Sequence, residues 1–123
     1  MKDEFKDNLN NDQLRIMDKH GTESPFTSDH NDEKRSGMFT CAACGQDLFK
    51  SEHKFDSGTG WPSFSDAEQS NIGTSEDKKM FMTRTEVHCA QCQGHLGHVF
   101  PDGPAPSGQR YCINGVALAF KPE

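Results

Sequence analysis

The fold of this chain is best predicted from a segment of twelve residues, which reads Phe81-Met82-Thr83-Arg84-Thr85-Glu86-Val87-His88-Cys89-Ala90-Gln91-Cys92. Its residues alternate in character along a predicted β-strand. One face of the strand would present Phe81, Thr83, Thr85 and Val87, and the other face would present Met82, Arg84 and Glu86. The segment ends in a Cys-x-x-Cys pair, which is typical of a metal knuckle.

Further short stretches of strand length lie on both sides of this segment, separated by clusters of Gly, Ser, Asp and Pro. They are Met38–Thr40, Lys54–Asp56, Leu96–Phe100 and Arg110–Phe120. Several short strands with frequent turns predict a mainly β fold, in which two antiparallel sheets form a small sandwich or open barrel. Leu14 and Met17, one helical turn apart, predict a short N-terminal helix, and residues 65–69 one further helical turn.

The composition predicts one domain that spans residues 1–123, in which residues 1–13 form a flexible or weakly helical extension. Only 32% of the 123 residues are hydrophobic. Because so little apolar surface is available, we expect an additional staple such as a metal ion.

The net charge of −6 gives no electrostatic reason to bind nucleic acid or an anionic membrane. No apolar run approaches the roughly 20 residues that cross a bilayer. The first residues lack the apolar segment of a secretory signal, so that a cytoplasmic protein is expected. We also expect it to be a monomer.

Two Cys-x-x-Cys pairs account for four of the five cysteines: Cys41 with Cys44, and Cys89 with Cys92. Four thiolates complete a closed tetrahedral shell, which predicts one structural zinc ion per chain. Iron in the same geometry is the main competitor. A redox dithiol of the thioredoxin type and plain buried cysteines are the other interpretations.

The fifth cysteine, Cys112, lies between Arg110 and Asn114 at the alternate positions of a strand, so that the three side chains would share a face. A nearby cation stabilises the thiolate, which is the reactive form of cysteine. An unpaired cysteine is otherwise often a small buried hydrophobic residue.

Two further groups surround this candidate nucleophile in our interpretation. His95 and His98 are suited to acid catalysis near neutral pH, although the pair is also compatible with metal binding or with the edge of the core. Trp61 lies among glycines and prolines, which favours the wall of a pocket over core packing.

The sequence resembles the B-type peptide-methionine (R)-S-oxide reductases, MsrB, from about Leu14 to Phe120. The motifs that carry the resemblance are His20-Gly21-Thr22-Glu23-x-Pro25-Phe26, Lys54-Phe55-Asp56-Ser57-Gly58-x-Gly60-Trp61-Pro62-Ser63-Phe64, His95-Leu96-Gly97-His98-Val99-Phe100-Pro101-Asp102-Gly103-Pro104 and Arg110-Tyr111-Cys112-Ile113-Asn114.

The resemblance implies reduction of methionine-R-sulfoxide in proteins and peptides, with Cys112 as the nucleophile that is left as a sulfenic acid. It implies catalytic roles for His95, His98, Arg110 and Asn114 around this cysteine. Either histidine is expected to protonate the sulfoxide oxygen. Trp61 and Phe100 are expected to bind the substrate, with Trp61 against the methyl group on sulfur.

The chain departs from the family pattern at Thr59, where many members have a second, resolving cysteine, and at Gly115, where serine is usual. Since the other cysteines are committed to metal, an external thiol (thioredoxin, or a glutathione or glutaredoxin system) is expected to reduce Cys112. The alternative function is a non-catalytic, zinc-stabilised β module that binds oxidised peptides or a protein partner. A zinc-ribbon nucleic-acid binder is disfavoured by the charge.

Overall fold

The structure, a computed structural model, describes residues 1–79 and 81–123, and within them the chain forms two antiparallel β-sheets. The strands are β1 (Gly37–Cys41), β2 (Asp47–Lys50), β3 (Lys54–Phe55), β4 (Ser63–Phe64), β5 (Ile72–Lys79), β6 (Met82–Cys89), β7 (His95–Phe100), β8 (Arg110–Ile113) and β9 (Leu118–Pro122). One sheet has the order β2-β1-β9 and the other the order β3-β4-β8-β7-β6-β5. The predicted mainly β fold with two antiparallel sheets is confirmed.

The N-terminal part of the chain is helical and packs onto the sheets. A 3-10 helix covers Asp3–Asn8, and α1 covers Asn11–Met17. Asn10 and Gln13 form a capping box at the start of α1, which satisfies two backbone N–H groups that a helix end leaves free. Across the described residues, no helix has the length and apolar character that spanning a bilayer requires.

The core lies between the two sheets and is built around aromatic side chains. Phe39 of β1 and Phe49 of β2 meet Phe64 of β4 with ring centroids 5.1 and 4.5 Å apart. All three side chains are fully buried. Ile16 and Met17 of α1 are also fully buried, so that the helix supplies apolar surface that the strands alone lack.

The six-stranded sheet presents a row of polar side chains on the face that turns away from this core. Ser75, Glu86, His98, Cys112 and Ser63 are consecutive partners across β5, β6, β7, β8 and β4. Since directly opposed residues of antiparallel strands share a face, the fold places Cys112 between His98 and Ser63.

A β-bulge adds His95 to the same face. On a regular strand, residues three apart point to opposite faces. The register between β6 and β7 shifts between Val87 and His88, and His95 hydrogen-bonds Glu86, the cross-strand partner of His98. The bulge therefore brings two histidines that a regular strand would separate to one face of the sheet.

Several elements differ from the sequence prediction. Phe81 has a φ of 68° and precedes β6. The stretch Arg110–Phe120 forms two strands of different sheets, β8 and β9, joined by a 3-10 turn at Gly115–Ala117. The predicted helical turn at residues 65–69 is instead a 3-10 turn at Gln69–Asn71.

Candidate active site

A cavity of about 310 Å³ lies on the polar face of the six-stranded sheet. Six of the seven residues predicted to act on or bind the substrate line it, namely Trp61, His98, Phe100, Arg110, Cys112 and Asn114. The seventh, His95, does not. The cavity thus joins residues from β7 and β8 with the loop that contains Trp61.

Cys112 is half-buried in the wall of this cavity. Burial raises the pKa of its thiol above the ordinary value of 9.0, while the charge of Arg110 and a hydrogen bond from Thr59 act in the opposite direction. Arg110 therefore favours the thiolate as predicted, but burial outweighs it and the resting cysteine is a protonated thiol at neutral pH.

Arg110 is held in place by an ion pair and by an aromatic ring. Its guanidinium donates to the carboxylate of Asp102, with Nε 2.9 Å from Oδ1 and Nη2 3.2 Å from Oδ2. The same group lies over the ring of Phe100, 4.5 Å from the centroid. These contacts fix Phe100 and Arg110 together as one side of the cavity.

His98 stands directly opposite Cys112 in the β7–β8 register. Its Nε2 donates to Oδ2 of Asp77 at 2.9 Å, and Asp77 also pairs with Arg84 at 3.1 Å. Burial lowers the pKa of His98 below 6.5, although the hydrogen bond to Asp77 raises it. The imidazole is consequently neutral at neutral pH.

His95 is buried next to His98, with 1% of its surface exposed. Its Nδ1 donates to Oε2 of Glu86 at 2.7 Å, and its ring centroid is 5.4 Å from that of His98. Burial raises the pKa of Glu86, but hydrogen bonds from His95, His88 and Ser75 outweigh it and lower the pKa to about 2. The carboxylate is thus charged and holds His95 against His98.

Trp61 and Asn114 are joined through the backbone of Glu23. The indole Nε1 donates to the Glu23 carbonyl at 3.0 Å, and the Glu23 N–H donates to Oδ1 of Asn114 at 2.9 Å. The Glu23 side chain accepts from the N–H of Val116 at 2.9 Å. Because each polar end is occupied by protein, the apolar ring of Trp61 is left to line the cavity.

Thr59 also lines the cavity and lowers the pKa of the Cys112 thiol. Its hydroxyl lies 2.8 Å from Oγ of Ser57. The position at which many relatives of the predicted family have a second cysteine is therefore next to the nucleophile, and here it carries a hydroxyl that cannot form a disulfide.

The four remaining cysteines converge on a single point that fits a metal ion. The sulfur of Cys41 lies 3.6 Å from that of Cys92, and the sulfur of Cys44 lies 3.5 Å from that of Cys89. A disulfide needs about 2.05 Å, whereas four thiolates around one ion at about 2.3 Å are about 3.8 Å apart. The cluster has the composition and spacing of a closed metal site.

Three residues that support the site were not predicted to belong to it: Glu23, Asp77 and Glu86. Glu86 alternates with Arg84 on the polar face of the quoted segment, a signal that was available. Asp77 lies in a polar stretch with no apolar alternation. Glu23 contributes its backbone to Trp61 and Asn114 and its carboxylate to Val116, whereas the sequence showed it only as one residue of a family motif.

The chain is similar to known proteins along nearly all of its length. Residues 9–122 match the SelR domain. A Methanosarcina barkeri protein named peptide methionine sulfoxide reductase MsrB is 52% identical in an alignment of 122 residues that covers 98% of this chain and 86% of that protein. The Pseudomonas putida protein of the same name is 52% identical in an alignment of 121 residues that covers 98% of this chain and 91% of that protein. Human mitochondrial methionine-R-sulfoxide reductase B2 is 48% identical in an alignment of 129 residues, gaps included, that covers 98% of this chain and 71% of that protein.

Proposed function

The chain belongs to the SelR-domain family of peptide methionine sulfoxide reductases, MsrB, and we propose that Cys112 is the residue through which it reduces methionine-R-sulfoxide to methionine. The enzyme is an oxidoreductase that repairs oxidised methionine. The observation that supports the assignment is the cavity itself, in which one thiol faces a histidine and two aromatic rings.

The reaction begins with a neutral thiol and a neutral imidazole. As the substrate enters, His98 takes the proton of Cys112 and the thiolate attacks the electrophilic sulfoxide sulfur. The imidazolium of His98 then gives that proton to the sulfoxide oxygen as the sulfur–oxygen bond breaks. The hydroxyl group is transferred to the sulfur of Cys112 as the bond between the two sulfurs breaks, and the electron pair of that bond returns to the methionine sulfur. Methionine leaves, and Cys112 is left as a sulfenic acid, having given up the two electrons that the sulfoxide gains.

The remaining cavity residues orient the substrate and the catalytic pair. Trp61 and Phe100 offer apolar surface to the methyl group and the side chain of the substrate. Two N–H groups of the Arg110 guanidinium donate to Asp102, and its remaining N–H groups can donate to the polar sulfoxide. The amide of Asn114 accepts from the N–H of Glu23 and donates to the carbonyl of Leu96, so that it positions the wall of the cavity. His95 acts as a positioning residue, since it touches the ring of His98 and does not line the cavity.

An external thiol completes the cycle. Two reducing thiols, supplied by thioredoxin or by a glutathione or glutaredoxin system, convert the sulfenic acid back to the thiol with release of water and formation of their own disulfide. Thr59 beside Cys112 supports this proposal, because it leaves no resolving thiol in the cavity wall.

The four-cysteine site is proposed to hold zinc as a structural ion. Cys41, Cys44, Cys89 and Cys92 would supply all four ligands, and a closed shell leaves no position for substrate. The ion would tie the end of β1 to the end of β6, and thus one sheet to the other.

The cysteines and the surface charge support a proposal for the compartment and the oligomeric state of the enzyme. Five unpaired thiols fit a reducing compartment such as the cytoplasm. We propose a monomer in which residues 1–123 form one domain around the continuous core, with oxidised proteins as substrates and neither nucleic acid nor a membrane as partner.

The test uses each epimer of methionine sulfoxide in turn with dithiothreitol as reductant, and methionine is quantified by chromatography. We expect loss of the R epimer alone, and none with Cys112→Ser. If neither epimer is consumed while the metal content is normal, reductase activity is excluded. The alternative function, a module that binds oxidised peptides, is then favoured.

A further inference from the structure

A second cluster of metal-binding groups lies on the polar face of the sheet, apart from the four cysteines. The carboxylate of Glu86 is surrounded by three imidazoles. Its Oε2 lies 2.7 Å from Nδ1 of His95 and 3.4 Å from Nδ1 of His20, and its Oε1 lies 3.1 Å from Nδ1 of His88. A charged carboxylate with several imidazoles is a common donor set for divalent transition metals.

The spacing of these groups suits a single ion. Ligand atoms of His20, Glu86 and His95 all lie within 4.8 Å of one another. Around a tetrahedral ion with bonds of about 2.1 Å, neighbouring ligand atoms are about 3.4 Å apart. The contact between His20 and Glu86 already has this length at 3.4 Å, and the one between His95 and Glu86 would lengthen as the ion replaced the shared proton.

The cluster combines two buried ligands with one that is exposed to solvent. His95 and Glu86 are 1% and 5% exposed, so that packing keeps the two side chains next to each other before an ion enters. The side chain of His20 is 54% exposed, and its ring lies 5.0 Å from that of His95. An ion from solvent can therefore reach the two buried ligands from the side on which His20 lies.

We propose that His20, Glu86 and His95 bind a second divalent transition metal ion such as Zn²⁺, and that this ion inhibits the reductase. Binding replaces the hydrogen bond that holds His95, whose ring packs against His98 at 5.4 Å. A shift of His95 displaces the ring opposite Cys112. The inhibition rests on the proposed function of His98, whereas the binding does not.

The variant His20→Asn tests the site without touching the cavity. The residue at position 20 has a φ of 58°, and asparagine is among the residues that tolerate this left-handed conformation. His53→Asn is the matched control, since it removes an imidazole outside the cluster.

The binding experiment adds Co²⁺ to protein that already carries one zinc per chain. We expect one further ion, with an absorption spectrum that lacks a thiolate-to-cobalt charge-transfer band. His20→Asn should weaken this binding at least about tenfold, and His53→Asn should leave it unchanged. Absence of a second ion, or undiminished binding by His20→Asn, would overturn the site.

The activity experiment measures a single turnover without added thiol, because thiols chelate zinc. Zn²⁺ should slow formation of methionine at least about tenfold in the wild type and in His53→Asn, but not in His20→Asn. If the ion binds as expected and the turnover is unaffected, the inhibitory role is wrong. If no turnover occurs even without Zn²⁺, the proposed function fails, and the binding experiment still decides whether the site exists.

Discussion

The burial of Cys112 and His98 shifts the pKa values of these two residues in opposite directions. Burial raises the pKa of the thiol and lowers that of the imidazole, so that both are neutral at rest and one proton is shared between them during reaction. The sequence identified Cys112 as the thiol left over from the metal pairs. It did not reveal how deeply either group is buried, because burial depends on which strands lie on each side.

The pair predicts a plateau of activity across neutral pH. The pKa of His98 lies below 6.5, the ordinary pKa of histidine. As the pH falls below this ordinary value, an increasing fraction of His98 is protonated and can no longer accept the thiol proton. As the pH rises past 9.0, Cys112 loses the proton that the sulfoxide oxygen needs. We expect the single-turnover rate to fall at both ends, by up to about tenfold per pH unit.

The variant His98→Asn tests this assignment. It should lower the plateau by roughly 100-fold or more and remove the acid limb. A profile with the same acid limb in His98→Asn would assign that limb to another group. His95→Asn should lower the plateau but keep the limb, since His95 acts only through His98.

Thr59 occupies the position of the resolving cysteine that many family members have. Thr59 lines the same cavity as Cys112, so that Thr59→Cys should place a resolving thiol within reach. After one equivalent of sulfoxide, mass spectrometry should show a disulfide between positions 59 and 112 in this variant and a sulfenic acid, trapped by dimedone, in the wild type. A sulfenic acid that persists in Thr59→Cys would show that the two side chains do not meet.

Among the structural elements, those with alternating or apolar sequence were predictable and the polar ones were not. The strand ending at Cys89 follows the pattern of its residues. By contrast, β5 (Ile72–Lys79) is largely exposed and polar. It is therefore stabilised by pairing with β6 rather than by the burial of its own side chains. The bulge in β7 is equally silent in the sequence, since it depends on the register with β6.

Gly115 shows a compensation between elements. Serine is usual at this position in the family that the sequence resembles. In this chain Gly115 begins a 3-10 turn, and the space beside it is filled by Ser28, because a Cβ placed on Gly115 would overlap the hydroxyl and the Cβ of Ser28.

Gly115→Ser is therefore expected to destabilise the protein by about 1–3 kcal/mol through overpacking. Adding Ser28→Gly should restore most of that loss, although Ser28→Gly alone removes the cap on the N–H of His30. Urea denaturation of the four proteins gives the coupling energy, which should reach about 1 kcal/mol or more. Additive effects would contradict the compensation.

At the scale of the whole molecule, the four-cysteine cluster joins the two sheets. If one of the four cysteines is replaced, we expect the proposed zinc ion to be lost together with its contribution to stability. For free zinc at 1,000 times its dissociation constant, this contribution is about 4 kcal/mol. Cys44→Ser should thus lose the metal and unfold at lower temperature in a calorimetric scan.

Cys112→Ser is the matched control for that measurement, since it also removes a thiol but lies outside the cluster. It should keep one metal ion and its melting temperature. A Cys44→Ser protein that melts at the wild-type temperature would mean that the ion does not stabilise the fold.

The separation of the two cysteine pairs along the chain governs how the protein is assembled. Cys44 and Cys89 are 45 positions apart, so that in the unfolded chain either pair alone is a weak chelator. Once one pair has captured an ion, the other competes for it at the effective concentration of a tethered ligand, and closing the loop costs little more than for a shorter one. For the proposed zinc ion, we therefore expect metal loading and docking of the two sheets to be one kinetic event, and loss of the ion to require both cysteine pairs to open in succession.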